Sequence, residues 1–210
     1  MLLSCSSLFF VGCPIASSSF SKIKLGNSKS VILFNGSTFC NWEKTEFADP
    51  GNVYFAEDKY VLEKGHNLTG ITWNGPLFRL NYEISLQAML IDGYDFFCGL
   101  TFPVGQDYCT LIVGGWGGSV VGLSNIDNHD ASSNETLRYM HFKKGIWYDI
   151  QIQVTPKRIQ AWINHQSVID IDIRNRELSV KFSVEKSKPL GIATWQTTGA
   201  VRNIIMEKIQ

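Results

Sequence analysis

Between Phe78 and Leu90 the chain alternates without a break. Phe78, Leu80, Tyr82, Ile84, Leu86, Ala88 and Leu90 fall on one side, and Arg79, Asn81, Glu83, Ser85 and Gln87 on the other. A period of two sends successive side chains to opposite faces of an extended backbone, so this is a long strand with one face on a core and one in water. A strand leaves backbone donors and acceptors open on both sides and needs neighbours. The rest of the chain offers them. Asp92-Gly93 turns it, and Phe96, Cys98, Leu100 and Phe102 alternate again. Residues 108–113 are apolar on both faces, as a central strand requires, and 119–124 form a shorter run containing Gly122. Upstream, 31–34, 53–55, 60–62 and 71–73 read as short strands with turns at Asn35-Gly36 and Asn74-Gly75-Pro76. Downstream, Ile146, Tyr148, Ile150, Ile152 and Val154 alternate up to a Thr155-Pro156-Lys157 turn. Ile159, Ala161 and Ile163 return, and after a turn at 164–166 come Ile169, Ile171 and Ile173. Leu178, Val180, Phe182 and Val184 alternate with polar residues, and 190–195 and 201–209 close the chain. Roughly a dozen short strands, many turn signals and no helical period indicate an all-β sandwich or jelly roll. One strand near the N-terminus and one at the C-terminus are expected to lie side by side.

The chain has 210 residues, enough for one sizeable core. Its 19 basic and 19 acidic residues balance, which argues against a nucleic-acid surface or a polybasic membrane patch. The first twenty positions carry no charge, and an apolar run at 8–11 ends at Gly12-Cys13. This resembles the tail of a bacterial lipoprotein signal, in which a small residue precedes the lipidated cysteine. The expectation is therefore an export signal and linker over 1–24, a sandwich domain over 25–210, and a periplasmic or cell-surface location. Lipid on Cys13 would be the membrane contact, because the apolar run is too short to span a bilayer. Cys40, Cys98 and Cys109 are isolated, with no Cys-x-x-Cys pair. A turn near Gly105 would set Cys98 opposite Ile112, so a direct bridge to Cys109 is not expected and buried free thiols are.

Chemistry-bearing residues gather around 96–136. Trp116 sits in Gly114-Gly115-Trp116-Gly117-Gly118. Bare glycine backbone lets a ligand approach and an indole face stacks on a sugar ring, although a bulged hairpin with a packed Trp explains the same residues. The motif lacks the lysine and helix start of a phosphate cradle. The polar loop 125–136 brings together Asp127, Asn128, His129, Asp130, Asn134 and Glu135. Those groups would suit Ca²⁺ through oxygen ligands or a general base, and equally a solvated surface loop; the spacing is not that of an EF-hand. Asp92, Asp95 and Asp107 flank turns beside the central strands, where they would stand at the rim of a concave face. Asp170 and Asp172 read as solvated; Trp147, Trp162 and Trp195 would extend an aromatic platform, and each also fits ordinary packing between sheets. No nucleophile elbow or Ser/His/Asp set is assignable.

Several stretches resemble the 3-keto-disaccharide hydrolase domain family of the concanavalin-like lectin and glucanase superfamily. They are Leu33-Phe34-Asn35-Gly36 followed by Trp42, then Gly145-Ile146-Trp147-Tyr148, then Ala161-Trp162-Ile163-Asn164 before Val168-Ile169-Asp170. The closing Leu190-Gly191-Ile192-Ala193-Thr194-Trp195 and Val201-Arg202-Asn203-Ile204-Ile205 complete the likeness, which runs over 31–209. The resemblance implies a concanavalin-like jelly roll of two curved antiparallel sheets, a carbohydrate ligand on the concave face, and action on 3-keto-glycosides. A ketone at C3 acidifies the C2 proton; a base removes it, and the C1 substituent leaves. Family members carry Ser-Gly-Ile closely followed by Arg on a middle strand, where this chain has Cys98-Gly99-Leu100-Thr101-Phe102-Pro103 and no Arg. Two readings follow. In one the domain is a glycoside hydrolase or lyase, with Asp127, Asp130 or Glu135 as base, Trp116 as sugar platform, and Asp95, Asp107, His129 and Asn134 contacting substrate. In the other it is a non-catalytic carbohydrate-binding or protein-interaction module on the cell surface.

Overall fold

A computed structural model describes residues 30–34 and 41–209. The readings at Cys13, Cys40 and Asn35-Gly36 lie outside the described residues. Fifteen strands follow in chain order: β1 (Ser30–Phe34), β2 (Trp42–Lys44), β3 (Val53–Ala56), β4 (Lys59–Leu62), β5 (Leu68–Trp73), β6 (Tyr82–Asp92), β7 (Cys98–Val104), β8 (Asp107–Gly114), β9 (Val120–Ser124), β10 (Arg138–Tyr139), β11 (Trp147–Val154), β12 (Arg158–Ile163), β13 (Gln166–Asp172), β14 (Gly191–Trp195) and β15 (Thr198–Lys208). They form two antiparallel sheets. The first has eight strands in the order β13-β12-β11-β6-β15-β4-β3, with β1 also on β15; the second has seven, β10-β9-β8-β7-β14-β5-β2. The terminal strands do lie side by side, Val31 opposite Met206.

The alternation of β6 is the seam of the molecule. Tyr82, Ile84, Leu86, Ala88 and Leu90 all face inward and are buried. Tyr148, Ile150, Ile152 and Val154 of β11 join them from the first sheet; Cys98, Leu100 and Phe102 of β7 and Cys109, Leu111 and Val113 of β8 meet them from the second. Each fully buried Leu, Ile, Val or Phe stabilises the fold by roughly 1.5–3 kcal/mol. The Tyr82 hydroxyl reaches across the core and donates to the Pro103 carbonyl at 2.5 Å. Cys98 and Cys109 are free, and burial pushes both thiols up to about 12.

Four details depart from the sequence expectations. The first strand of the long alternation begins at Tyr82, because Asn81 takes a left-handed φ of 54° and bends the chain before it. Cys98 stands opposite Val113, one residue from the expected Ile112, since the β7–β8 hairpin pairs Val104 with Asp107. Residues 178–184 are not a strand. Leu178 makes an isolated bridge to Ile126, and Phe182–Ser187 is a short 3₁₀ helix. Alternation becomes a strand only where a neighbour accepts its hydrogen bonds; here Leu178 buries in the main core while Val180 and Val184 pack elsewhere. Finally, Trp147, Trp162 and Trp195 do not lie between the sheets. Each is half-buried and alternates with inward residues, so each points outward, Trp147 beneath the Arg202 guanidinium at 4.1 Å. The intersheet tryptophans are Trp42 and Trp73, whose rings are 5.5 Å apart.

Candidate functional site

On the second sheet many outward positions are small or hydroxylated: Gly70 and Thr72 on β5, Gly99 and Thr101 on β7, Thr110 on β8, Gly122 and Ser124 on β9, and Ala193 on β14, with Leu68, Ile112, Val120 and Trp195 as the larger side chains among them. The small ones leave room above the sheet, and two segments fill part of it. The loop 125–137 lies against β9, so close that a Cβ on Gly122 would stand 2.9 Å from the Ala131 carbonyl. The second segment, 177–188, crosses the sheet as a strap. It starts at β9, where Ser179 and Asn125 exchange backbone hydrogen bonds of 2.7 and 3.3 Å. It ends over β5, where the Thr72 hydroxyl donates to the Lys186 carbonyl at 3.1 Å. Beneath it a second apolar cluster forms from Leu68, Phe96, Ile112, Val120, Ala131, Val184 and Ala193.

Between the strap and the β8–β9 turn the sheet stays open. A cavity of about 240 Å³ has Thr110, Ile112 and Ser124 as its floor and Asp95, Phe96, Trp116, Lys181, Ser183, Val184 and Trp195 around it. Trp116 holds a left-handed φ of 47° and is 42% exposed. A bulky side chain there is an uncommon conformation that costs of order 1–2 kcal/mol, so the surroundings must hold it. Asp95 does so. One carboxylate oxygen accepts the Phe96 N–H at 2.7 Å, and the other accepts the N–H of Gly117 at 3.4 Å. Gly117 itself has φ 86°, which only glycine adopts without strain. Thr197 anchors Asp95 from behind, accepting its N–H and donating to its carbonyl, both at 3.1 Å.

Opposite Trp116 stands Lys181, its ammonium 4.9 Å from the centre of the Trp116 ring and 2.7 Å from the Asp130 carboxylate. Burial alone would push the Asp130 carboxyl up, but hydrogen bonds from Lys181 and from the Ser132 hydroxyl and N–H outweigh it and hold the group down at about 2. The cation is thus fixed between an acid of the loop and the indole face.

The remaining candidates divide by position. Asp127 and Glu135 converge on Arg176, at 2.5 and 2.6 Å, rather than on the cavity. The Glu177 N–H and Arg176 lower the Asp127 carboxyl, and Arg176 lowers that of Glu135. Asn134 is spent on the loop: its amide donates to the carbonyls of Leu123, His129 and Asp130, and its oxygen accepts from Thr136. His129 is exposed, its Nδ1 2.8 Å from the Asp127 carbonyl. Asp107 opens β8 at the β7–β8 hairpin, the opposite end of that strand from Trp116. Asp170 and Asp172 are paired with Arg158 and Arg174. The cavity therefore gathers Trp116 and Asp95 directly and Asp130 through Lys181. Among the described residues no three His, Cys, Asp or Glu side chains are grouped to hold a metal ion, and each loop acid already has a cation.

Lys181, Ser183 and the neighbouring Phe182 were hidden from sequence reading by the false strand at 178–184. Phe182 is 94% exposed, which no strand-and-core pattern would predict. Trp195 was visible as a tryptophan, but its place on the cavity depends on which face of β14 it occupies.

The two antiparallel sheets, with an aromatic-edged cavity on one outer face, define a jelly-roll β-sandwich domain. The chain belongs to the 3-keto-alpha-glucoside-1,2-lyase-like domain family, whose model matches residues 29–207. Among solved structures it is similar to the carbohydrate-binding module CBM66 from Bacillus subtilis, with a TM-score of 0.54 and 12% identity over 83% of this chain and 97% of that one. It is likewise similar to the Crh5 transglycosylase, with a TM-score of 0.57 and 10% identity over 87% and 85% of the two chains. A native glycosidic hydrolase gives a TM-score of 0.59 and 10% identity over 85% and 95%. No curated protein matches by sequence.

Proposed function

We propose that this domain recognises a carbohydrate in the cavity beside Trp116, and that the ligand class is a glucoside, including its 3-keto form. The observation that carries the reading is the exposed indole of Trp116, held by Asp95 in a strained conformation at the mouth of a cavity whose polar groups are hydroxyls, one carboxylate and one ammonium. Sugars present apolar ring faces and a belt of hydroxyls, and that mixture suits an aromatic edge with a few polar partners. The test is a glycan array that includes 3-keto-glucosides, followed by titration of each hit against Trp116→Ala. Binding lost in the variant supports the reading; hits that bind the variant equally well would place the site elsewhere.

Catalysis is the second reading, and the family favours it. Elimination from a 3-keto-glucoside transfers the C2 proton to a base, moves the C2–H electron pair into a C1–C2 double bond through the C3 enolate, and expels the C1 alkoxide, which takes a proton from water. Asp95 is the one carboxylate among the residues around the cavity, and Lys181 is the one cation that could face an enolate oxygen. This assigns the base to Asp95 rather than to Asp127 or Glu135, which sit on Arg176. Mass spectrometry of a 3-keto-glucoside incubated with the protein checks it. Release of the aglycone that stops in Asp95→Asn, with binding retained, is the expected result; release that persists in that variant would remove Asp95 from the chemistry. The location that accompanies both readings is extracytoplasmic, with lipid on Cys13. Metabolic labelling with a lipid precursor that disappears in Cys13→Ala is the outcome expected, and unlabelled wild-type protein would dismiss the anchor.

A further inference from the structure

The charges of the whole chain balance, but they do not balance locally. Between Glu135 and Asp149 there is no acid, while Arg138, His141, Lys143 and Lys144 all fall in that stretch. The segment runs from the edge strand β10 to the start of β11, and so passes from one sheet to the other over one end of the sandwich. Its underside is fixed. The Phe142 ring packs 5.1 Å from that of Phe97 and 5.0 Å from that of Tyr148, and the Lys143 N–H donates to the Tyr148 hydroxyl at 2.7 Å. Its other residues are open to solvent: Tyr139 is 73% and Ile146 48% exposed, and His141, Lys143 and Lys144 are exposed between them.

Neighbouring turns extend this surface. Gly145 donates to the Leu90 carbonyl at 2.8 Å and the Lys144 ammonium meets Asp92 at 2.5 Å, which brings in exposed Ile91. Met140 donates to the Ser119 carbonyl at 2.8 Å, and a Cβ on Gly118 would stand 3.2 Å from the carbonyl of exposed Tyr94. The Lys64 ammonium lies 5.8 Å from the centre of the Tyr94 ring. Of the eight large hydrophobic side chains exposed among the described residues, five sit on these loops, Trp116 included. Such side chains rarely gather at one place unless something covers them. The acids of 90–95, 115–119 and 139–146 are already held: Asp92 is paired with Lys144, and the Asp95 carboxylate is turned to the Phe96 and Gly117 N–H groups. Among the described residues no acid pairs with the Lys143 ammonium.

Tyrosine rings alone would suit a sugar polymer, and lysines alone any polyanion. Isoleucine tips suit neither. The interface of an anionic bilayer takes all three: aliphatic tips enter the acyl boundary, tyrosines sit at headgroup level, and lysines meet the phosphates. We infer that this end of the sandwich, centred on Tyr139, Lys143 and Ile146, is a peripheral docking surface for anionic lipid. It does not depend on the carbohydrate reading, although docking would bring Trp116 and the cavity mouth towards the bilayer.

Vesicle flotation of the full chain carrying Cys13→Ala, so that no lipid anchor contributes, tests it. Vesicles of phosphatidylcholine alone are compared with vesicles containing about one-third phosphatidylglycerol. The expected result is flotation with the anionic vesicles only, and release at about 0.5 M salt, where screening cuts the reach of the lysines. Lys143→Ala should weaken binding about fivefold, and Tyr139→Ala and Ile146→Ser about fivefold each through lost apolar contact. Ile32→Ser, at an exposed position on β1, should change nothing. All four are surface substitutions, and near-UV circular dichroism shows whether packing is kept; the lipid and salt comparisons stand without them. No flotation, flotation as good on neutral vesicles, or flotation insensitive to all three substitutions overturns the inference. Flotation that depends on Lys143 but not on Tyr139 or Ile146, with equal binding of soluble polygalacturonate, would make the surface a site for anionic polymers and overturn the membrane assignment.

Discussion

Trp116 shows how little a residue's identity says until its backbone is known. In a relaxed hairpin it would pack down; held at a left-handed φ by the Asp95–Gly117 contact, it stands 42% exposed over the cavity. Trp116→Ala should therefore separate binding from folding. Ligand affinity falls at least tenfold, about 1.4 kcal/mol, while urea unfolding shifts by less than about 2 kcal/mol, below the cost of truncating a core aromatic, because the indole is already 42% exposed. A large drop in stability would mean that the indole is a packing residue after all. The two buried cysteines give a second prediction at this scale. With their thiols pushed up to about 12 and no exposed surface, Cys98 and Cys109 should resist alkylation at pH 8 in the native protein and react once urea unfolds it. Peptide mapping of the labelled sites distinguishes them from the other cysteines, and rapid native labelling of either would contradict their burial.

At the scale of elements, the loop 125–137 and the strap are one unit joined by ion pairs. Arg176 holds Asp127 and Glu135, and Lys181 holds Asp130. Pairs this exposed contribute about 0–1 kcal/mol each, so their work is local. Arg176→Ala should raise amide exchange in 125–137 and 177–181 while the exchange of β6 and β11 stays unchanged; uniform protection throughout would show that backbone contacts alone hold the unit. The acids also give a pH dependence with a definite sign. A carboxyl whose folded value lies below its unfolded one stabilises the fold above the unfolded value, and loses that contribution as pH falls through the folded one. For Asp130 the window runs from 3.8 down to about 2. Asp127 and Glu135 are lowered too and add in the same direction. Wild-type protein should thus lose more unfolding free energy between pH 6 and pH 2.5 than Asp130→Asn does, as read by urea denaturation. Equal losses would show that Asp130 is not coupled to folding.

For the whole molecule the decisive quantity is the core between the sheets. Leu111 is fully buried there among residues of both sheets. Leu111→Ala should cost about 2–5 kcal/mol out of the roughly 5–15 kcal/mol that a domain retains, lowering the denaturation midpoint without changing the cavity residues. A cost below about 1 kcal/mol would mean that the sandwich collapses to fill the gap. The outer apolar cluster under the strap is smaller. It bears on the site more than on the fold, because it packs the strap onto the second sheet and leaves the core between the sheets untouched.

Periodicity alone determined the architecture. Period-two runs at 82–90, 146–154 and 159–163 state which face is apolar, and a chain of such runs can bury those faces only by stacking sheets. It also placed the turn that carries Trp116, since glycines cluster only where the backbone needs them. The site was legible only in part. Trp116 and Asp95 stood out as residue types beside that turn. Asp127 and Glu135 stood out equally, yet both are drawn to Arg176, far along the chain. Residues 178–184 carried the same alternation as true strands, but beyond the bridge from Leu178 to Ile126 they join no strand ladder; they cross the sheet and bring Lys181 and Ser183 to the cavity. Alternation records which side of a segment seeks apolar company. Which surface provides it, and which charge from a distant segment meets which acid, is settled by packing in three dimensions, where separation along the chain no longer measures distance.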